Sequence, residues 1–125
     1  MLGEDLFTPT GGVIGDYSLL LEYLKKCRER GLDCSTILPS SSILGEIQGI
    51  IEHRSTRFIE LVEYVQSIHG ENINCDVCVE AFQQLYGVKP SCEEAIKMLI
   101  TQLTSWYLEI LERLGYVKIK QAWRP

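Results

Sequence analysis

Residues 92–114 constrain the fold more than any other stretch of this chain. Ser91 and Glu94 form the paired signature of a capping box, in which each side chain satisfies a free first-turn amide, and Gly115 stops the run. Between these two signals, apolar residues recur at helical spacing on more than one face: Leu99 and Leu103, Trp106 and Tyr107, Ile110 and Leu111. A surface helix shows a single apolar stripe, whereas one that is apolar most of the way round has to be covered on several sides. Two readings follow. The helix is the centre of a monomeric core, or its surplus apolar face is an interface, with Leu103, Trp106, Tyr107, Ile110 and Leu111 as the expected contact residues of a two-fold dimer or of another protein chain.

The rest of the chain has to supply that cover. At 125 residues and 14.2 kDa it is long enough for one core and one domain, and folding can bury about two-thirds of the surface an unfolded chain exposes. Glycine and proline divide it. Residues 1–15, with Gly3, Pro9, Gly11, Gly12 and Gly15, show no period and read as an irregular arm. Asp16 reads as an N-cap for a first helix whose apolar positions are Leu20, Leu21, Leu24 and Cys27, ended by Gly31. Thr36 to Pro39 is a short apolar run, either a strand or a buried crossing. A second helix is expected over 43–69, with the stripe Ile47, Ile50, Ile51, Phe58, Leu61, Val65 and Ile68, ended by Gly70. Asn74 is expected to cap a third helix over 75–86, which Gly87 stops. Residues 116–120 alternate and read as a short strand. The expected fold is mainly α, with four helices and one or two short strands. Residues 1–48 form its first part, and 49–125 form a degenerate winged-helix-like half around the turn at 87–90.

Charge and cysteine content narrow the function classes. Twelve Lys and Arg face seventeen Asp and Glu, a net charge of −5. The helix in the recognition position carries Glu93, Glu94, Glu109 and Glu112 against Lys97 and Arg113, so it repels the phosphates that nucleic-acid binding draws on. Nucleic acid is therefore not the expected partner, although a small nucleic-acid-binding winged-helix protein is the rival reading. No run approaches the roughly 20 apolar residues of a membrane span. The start of the chain lacks a signal-peptide pattern, so a cytoplasmic protein is expected. The cysteine count is five, an odd number that forbids a complete internal set of disulfides, and free structural thiols fit a reducing compartment; a Cys27–Cys34 pair stays open.

Three small constellations carry chemistry. Cys75-x-x-Cys78 with His69 and Cys92 has the donor types of a Cys₃His zinc site, but the one-turn spacing is also plain amphipathic packing. A thiol redox role for the same motif has one physical support, since a helix N-terminus lowers a thiol pKa. His53, Arg54 and Arg57 offer paired donors for an anion, or ion pairs to Glu46, Glu52 or Glu60 that join two parts of the fold. His69 reads as a C-terminal capping residue. No catalytic residue and no cofactor is expected.

Several of these patterns stand in a familiar order. Gly15-Asp16-Tyr17, the helix after it and Ile37-Leu38-Pro39 resemble the last helix and strand of metallo-β-lactamase-fold hydrolases. His53-Arg54 with Arg57 resembles the His-Arg-x-x-Arg element that follows that fold in a branch carrying a C-terminal winged helix. Leu111, Leu114, Gly115 and Val117 resemble the end of that tail. The resemblance implies a two-metal hydrolase, yet the ligands it requires are missing. The His-x-His-x-Asp-His motif is absent, the only histidines being His53 and His69, and Ser41 stands where the Pro-Gly-His-Gly turn would place the final ligand. Gly3-Glu4-Asp5-Leu6-Phe7 resembles the segment of the bridging acid. The implied role is a non-catalytic interaction or self-association module, a relic or split piece of such a hydrolase, or one half of a split enzyme.

Overall fold

The computed structural model describes residues 17–53 and 57–117. They form five α-helices: α1 (Ser18–Glu29), α2 (Ser41–His53), α3 (Phe58–His69), α4 (Cys75–Tyr86) and α5 (Cys92–Arg113). One-turn 3₁₀ segments at Ser35–Ile37 and Gly70–Asn72 link α1 to α2 and α3 to α4. The protein is mainly α, as its periodicity required, and no strand occurs among the described residues.

Three of the helix ends follow directly from local chemistry. Asn74 accepts the Val77 N–H at 3.1 Å and starts α4, and Gly87 ends it in the left-handed region at φ +76°. Ser91 Oγ accepts the Glu94 N–H at 3.1 Å while Glu94 Oε1 accepts the Ser91 N–H at 3.0 Å, closing the expected box at the head of α5. The Glu94 carboxyl is held below the usual carboxylate range by those bonds.

The beginning of α1 is different. Asp16, the expected cap, lies outside the described residues, and Tyr17 in the cap position makes no side-chain cap bond. The buried Leu20 N–H instead donates to Gln102 Oε1 of α5 at 3.0 Å. A first-turn amide is thus satisfied by a side chain 82 positions away.

Three expectations about the elements need correction. The single helix over 43–69 is two helices, α2 and α3, and Arg57 is extended at φ −80°, ψ 157° in the cap position of α3. Ile51 and Phe58 are seven residues apart, about two helical turns, so the apolar stripe stays in phase across the break and hides it. Thr36 to Pro39 is neither a strand nor a buried crossing: Ile37 alone is buried, at 1% exposure, while Thr36 and Leu38 are exposed. Tyr116 and Val117 take no strand, and the remainder of that expected strand, 118–120, lies outside the described residues.

The core is built around α5, which packs against each of the other four helices. Leu99, Ile100, Leu103, Tyr107, Leu108 and Leu111 are fully buried there. Onto them pack Leu19, Leu20 and Tyr23 of α1, Ile47 of α2, Leu61 and Val65 of α3, and Val77 and Ala81 of α4. Burial of this kind dominates the free energy of folding, at about 1.5–3 kcal/mol per large apolar side chain. Thr104 and Ser105, buried on the same helix, return their hydroxyl protons to the carbonyls of Ile100 and Thr101 four residues back.

This packing corrects the interface expected on α5. Leu103, Tyr107 and Leu111 lie inside the chain's own core, while Trp106 and Ile110 are half-buried.

The cysteines also differ from the expected free thiols. Cys27 pairs with Cys34 and Cys75 with Cys92, leaving Cys78 as a buried thiol. The first pair was open on sequence grounds. The second joins residues 17 apart and was hidden by the helical spacing of Cys75 with Cys78.

Candidate functional site

Four exposed large apolar side chains lie along the region where the start of α1 meets the end of α4. The two helices are held together by Lys26 of α1 and Arg30 just after it against Glu80 of α4, and by Tyr23, whose hydroxyl accepts the Asn74 N–H at 2.9 Å. At the other end of the contact, the Ser18 and Tyr86 hydroxyls lie 3.5 Å apart. Around that point are Leu85, Tyr86 and Val88, and Leu21 one turn along α1 from Ser18. All four are exposed, Leu21 at 63% and Val88 at 60%.

The Tyr86 ring is held by a contact within its own helix. It stacks at a tilt on Phe82, one turn earlier on α4, with centroids 4.7 Å apart. Phe82 in turn packs on the core. An aromatic side chain already fixed in place loses little freedom on binding.

The sequence pattern puts Leu21 in the apolar stripe of α1 and carries no expectation for Leu85, Tyr86 and Val88. The signal for the first was ambiguous, because Leu19, Leu20 and Leu21 are consecutive and only two of them fit one helical face. Packing turns Leu19 and Leu20 inward. The signal for the others was present: an apolar pair, Leu85 and Tyr86, at a helix end followed by Val88 in a turn.

The zinc ligand set does not come together. Cys75 and Cys92 are bonded to each other, Cys78 is buried, and His69 is engaged elsewhere. Among the described residues no group of three or more His, Cys, Asp or Glu side chains is placed to hold a metal ion. Burial pushes the Cys78 thiol up to about 12, so it stays protonated.

His69 is not a helix cap. It is the last residue of α3, 3% exposed, and its Nε2 lies 3.0 Å from the Tyr107 hydroxyl, which also bonds to the Ile37 carbonyl. A carbonyl only accepts, so the single tyrosine proton goes to Ile37, and His69 Nε2–H donates to the tyrosine oxygen. Nδ1 is then a bare acceptor, and it has no protein partner. This chain of bonds ties the 3₁₀ turn, α3 and α5 together.

Burial holds the His69 pKa below its ordinary value, and protonation would place an unpartnered N–H in the core. The unfolded chain therefore binds the proton more tightly. Stability contributed by neutral His69 is complete above the unfolded pKa of about 6.5 and is lost as pH falls below it toward the folded value. Urea unfolding midpoints should fall between about pH 7 and pH 5, and His69→Gln should flatten that slope.

Two of the three residues of the His53, Arg54 and Arg57 group are described. His53 and Arg57 are exposed at the end of α2 and the start of α3, and Arg54 lies outside the described residues. Of the three carboxylates considered as their partners, Glu46 accepts from the Tyr64 hydroxyl and Glu52 from Gln48, while Glu60 bonds to Arg57 itself, accepting its backbone N–H at 2.7 Å. Glu4, Asp5 and Asp16 lie outside the described residues.

Comparison with known proteins gave no match to a family model, to a curated protein or to a solved structure. Among the described residues no helix is long and apolar enough to cross a membrane.

Proposed function

We propose that this chain is a non-catalytic self-association module that pairs with a second copy through Leu21, Leu85, Tyr86 and Val88. The exposed apolar cluster at the α1–α4 end carries this reading. Closed two-fold pairing is the commonest way for identical chains to cover such a patch, and tyrosine is among the residue types that dominate binding energy at an interface centre. The four side chains are uncharged, and the exposed Lys25 and Lys89 stand at their margin.

The resemblance to metallo-β-lactamase-fold hydrolases gives the module its proposed origin, a relic or split piece. It rests on the order Gly15-Asp16-Tyr17, Ile37-Leu38-Pro39, then His53-Arg54 with Arg57, and on serine at position 41, where a ligand would stand. A degenerate winged helix formed by α3, α4 and α5 and a cytoplasmic location belong to the same proposal. The nucleic-acid reading is weakened by the placement of α5: its apolar faces are spent on the core and its first turn carries Glu93 and Glu94.

Amide hydrogen exchange at two protein concentrations tests the contact surface. Raising the concentration should slow exchange at residues 85–88, while the core amides of α5 stay equally protected at both. Concentration-dependent slowing confined to another part of the chain would overturn the assignment.

A further inference from the structure

The two disulfides differ in their helix positions and in the exposure of one partner. Cys75 is the first residue of α4 and Cys92 the first residue of α5, with Cα atoms 5.6 Å apart. Cys92 is exposed and Cys75 half-buried. Beside them the turn between the helices runs back along α4 and leaves a groove of about 390 Å³, lined by Val79, Gln83, Lys89 and Pro90 as well as both cysteines. Cys27 is 2% exposed in the last turn of α1 and its partner Cys34 is half-buried, beside a groove of about 440 Å³; neither sulfur of that pair is as open as Cys92.

We propose that Cys75–Cys92 is a reversible redox switch operated by a low-molecular-weight thiol, while Cys27–Cys34 is a fixed structural link. Helix N-termini stabilise negative charge and C-termini disfavour it, each through the unsatisfied amide or carbonyl groups of the terminal turn. When Cys75–Cys92 opens, both sulfurs are left as thiolates or thiols at helix N-termini, which favours the reduced state. When Cys27–Cys34 opens, the Cys27 sulfur is left buried in a C-terminal turn, which disfavours it.

Access and leaving-group character set the direction of attack. An external thiolate reaches the exposed Sγ of Cys92, the Cys75–Cys92 bond breaks, and Cys75 leaves as a thiolate at the head of α4. Cys92 is then joined to the external sulfur in a mixed disulfide. A second external thiolate attacks the external sulfur of that bond, releasing the Cys92 thiolate and a disulfide of two external thiols. The two protons of the external thiols end on Cys75 and Cys92, so two thiols are oxidised for one protein disulfide reduced. Cys75 is the better leaving group, since a single acid, Asp76, shares its helix turn, against Glu93 and Glu94 beside Cys92. Cys78 takes no part, because its buried thiol stays protonated.

Reduction frees the α4–α5 turn, which the disulfide holds against the first turns of both helices. Ala95 and Leu99 keep the rest of α5 seated in the core, so the change is local. The turn includes Val88, one of the exposed apolar residues, and reduction therefore alters the surface proposed for self-association. The switch itself does not depend on that reading.

Equilibrating the full chain in glutathione buffers of graded reduced-to-oxidised ratio, quenching with an alkylating agent and mapping labelled cysteines tests the proposal. Cys75 and Cys92 should become labelled at a potential at least tenfold less reducing in equilibrium constant than Cys27 and Cys34, about 30 mV for a two-electron couple. Trapped mixed disulfide should carry glutathione on Cys92, and Cys75→Ser should accumulate that adduct under oxidising buffer. Opening of both disulfides together, prior opening of Cys27–Cys34, or labelling of Cys75 and Cys92 in fully oxidised buffer would overturn the switch. An adduct found on Cys75 in the native sequence would overturn the direction of attack.

Discussion

Replacing Tyr107 by alanine is expected to lower the free energy of unfolding by about 3–5 kcal/mol, a large share of the roughly 5–15 kcal/mol that holds a domain folded. Tyr107 is fully buried on the helix that touches every other helix. Its loss leaves a ring-sized cavity, and it also strips the Ile37 carbonyl and His69 Nε2–H of their shared partner. Tyr107→Phe separates the two effects: the ring stays, and the expected cost falls to about 1–3 kcal/mol for polar groups left unpaired in the core. Chemical denaturation of both variants beside the native sequence measures the difference. Equal costs for the two would mean that the bonds to Ile37 and His69, and not the ring, hold this part of the core.

Cys34→Ser is expected to cost about 2–3 kcal/mol, the loop-closure value for cysteines seven positions apart. The link fastens the end of α1 to the 3₁₀ turn that carries Ile37 into the core, so its loss loosens the same region that Tyr107 clamps from the other side. Because the bond acts mainly on the unfolded chain, the denaturant midpoint should fall with a steeper dependence of stability on urea, as the freed chain exposes more surface. An unchanged midpoint in an oxidised sample would remove the structural role assigned to this disulfide.

How much of this was legible in the sequence depended on how local the signal was. Asn74, Ser91, Glu94, Gly31, Gly87 and Gly115 fixed helix ends because a cap or a positive φ is decided within four or five residues. The apolar stripe of α2 and α3 was read correctly while the break inside it was missed, since Ile51 and Phe58 remain in register across it. Contacts made at long range left no trace to read. Gln102 capping α1, His69 bonding to Tyr107, and Cys92 reaching Cys75 past the nearer Cys78 each pair residues that only the finished packing brings together.

The site shows the same division. The apolar excess of α5 is a true signal open to two readings, and the packing fits the first: it marks the centre of the core, with Trp106 and Ile110 as its half-buried flank. Leu85, Tyr86 and Val88 sit where a helix ends in a turn, and helical periodicity says nothing about which side of such an end faces solvent. Leu21 could be placed only once Leu19 and Leu20 were seen to fill the inner face. The zinc reading of Cys75 and Cys78 failed for a related reason, since a one-turn spacing states that two residues share a face and not what lies opposite.

The central claim is that the chain pairs through the α1–α4 end and keeps α5 for its own core. Sedimentation velocity on the native sequence and on Tyr86→Glu, both oxidised and at tens of micromolar, tests it most directly, with circular dichroism confirming that helical content is unchanged. The native protein should sediment as a dimer and Tyr86→Glu as a monomer of equal helicity, because a charge at the centre of an apolar contact is desolvated without a partner. A native protein that sediments as a clean monomer, or a Tyr86→Glu variant that stays dimeric, would contradict the account.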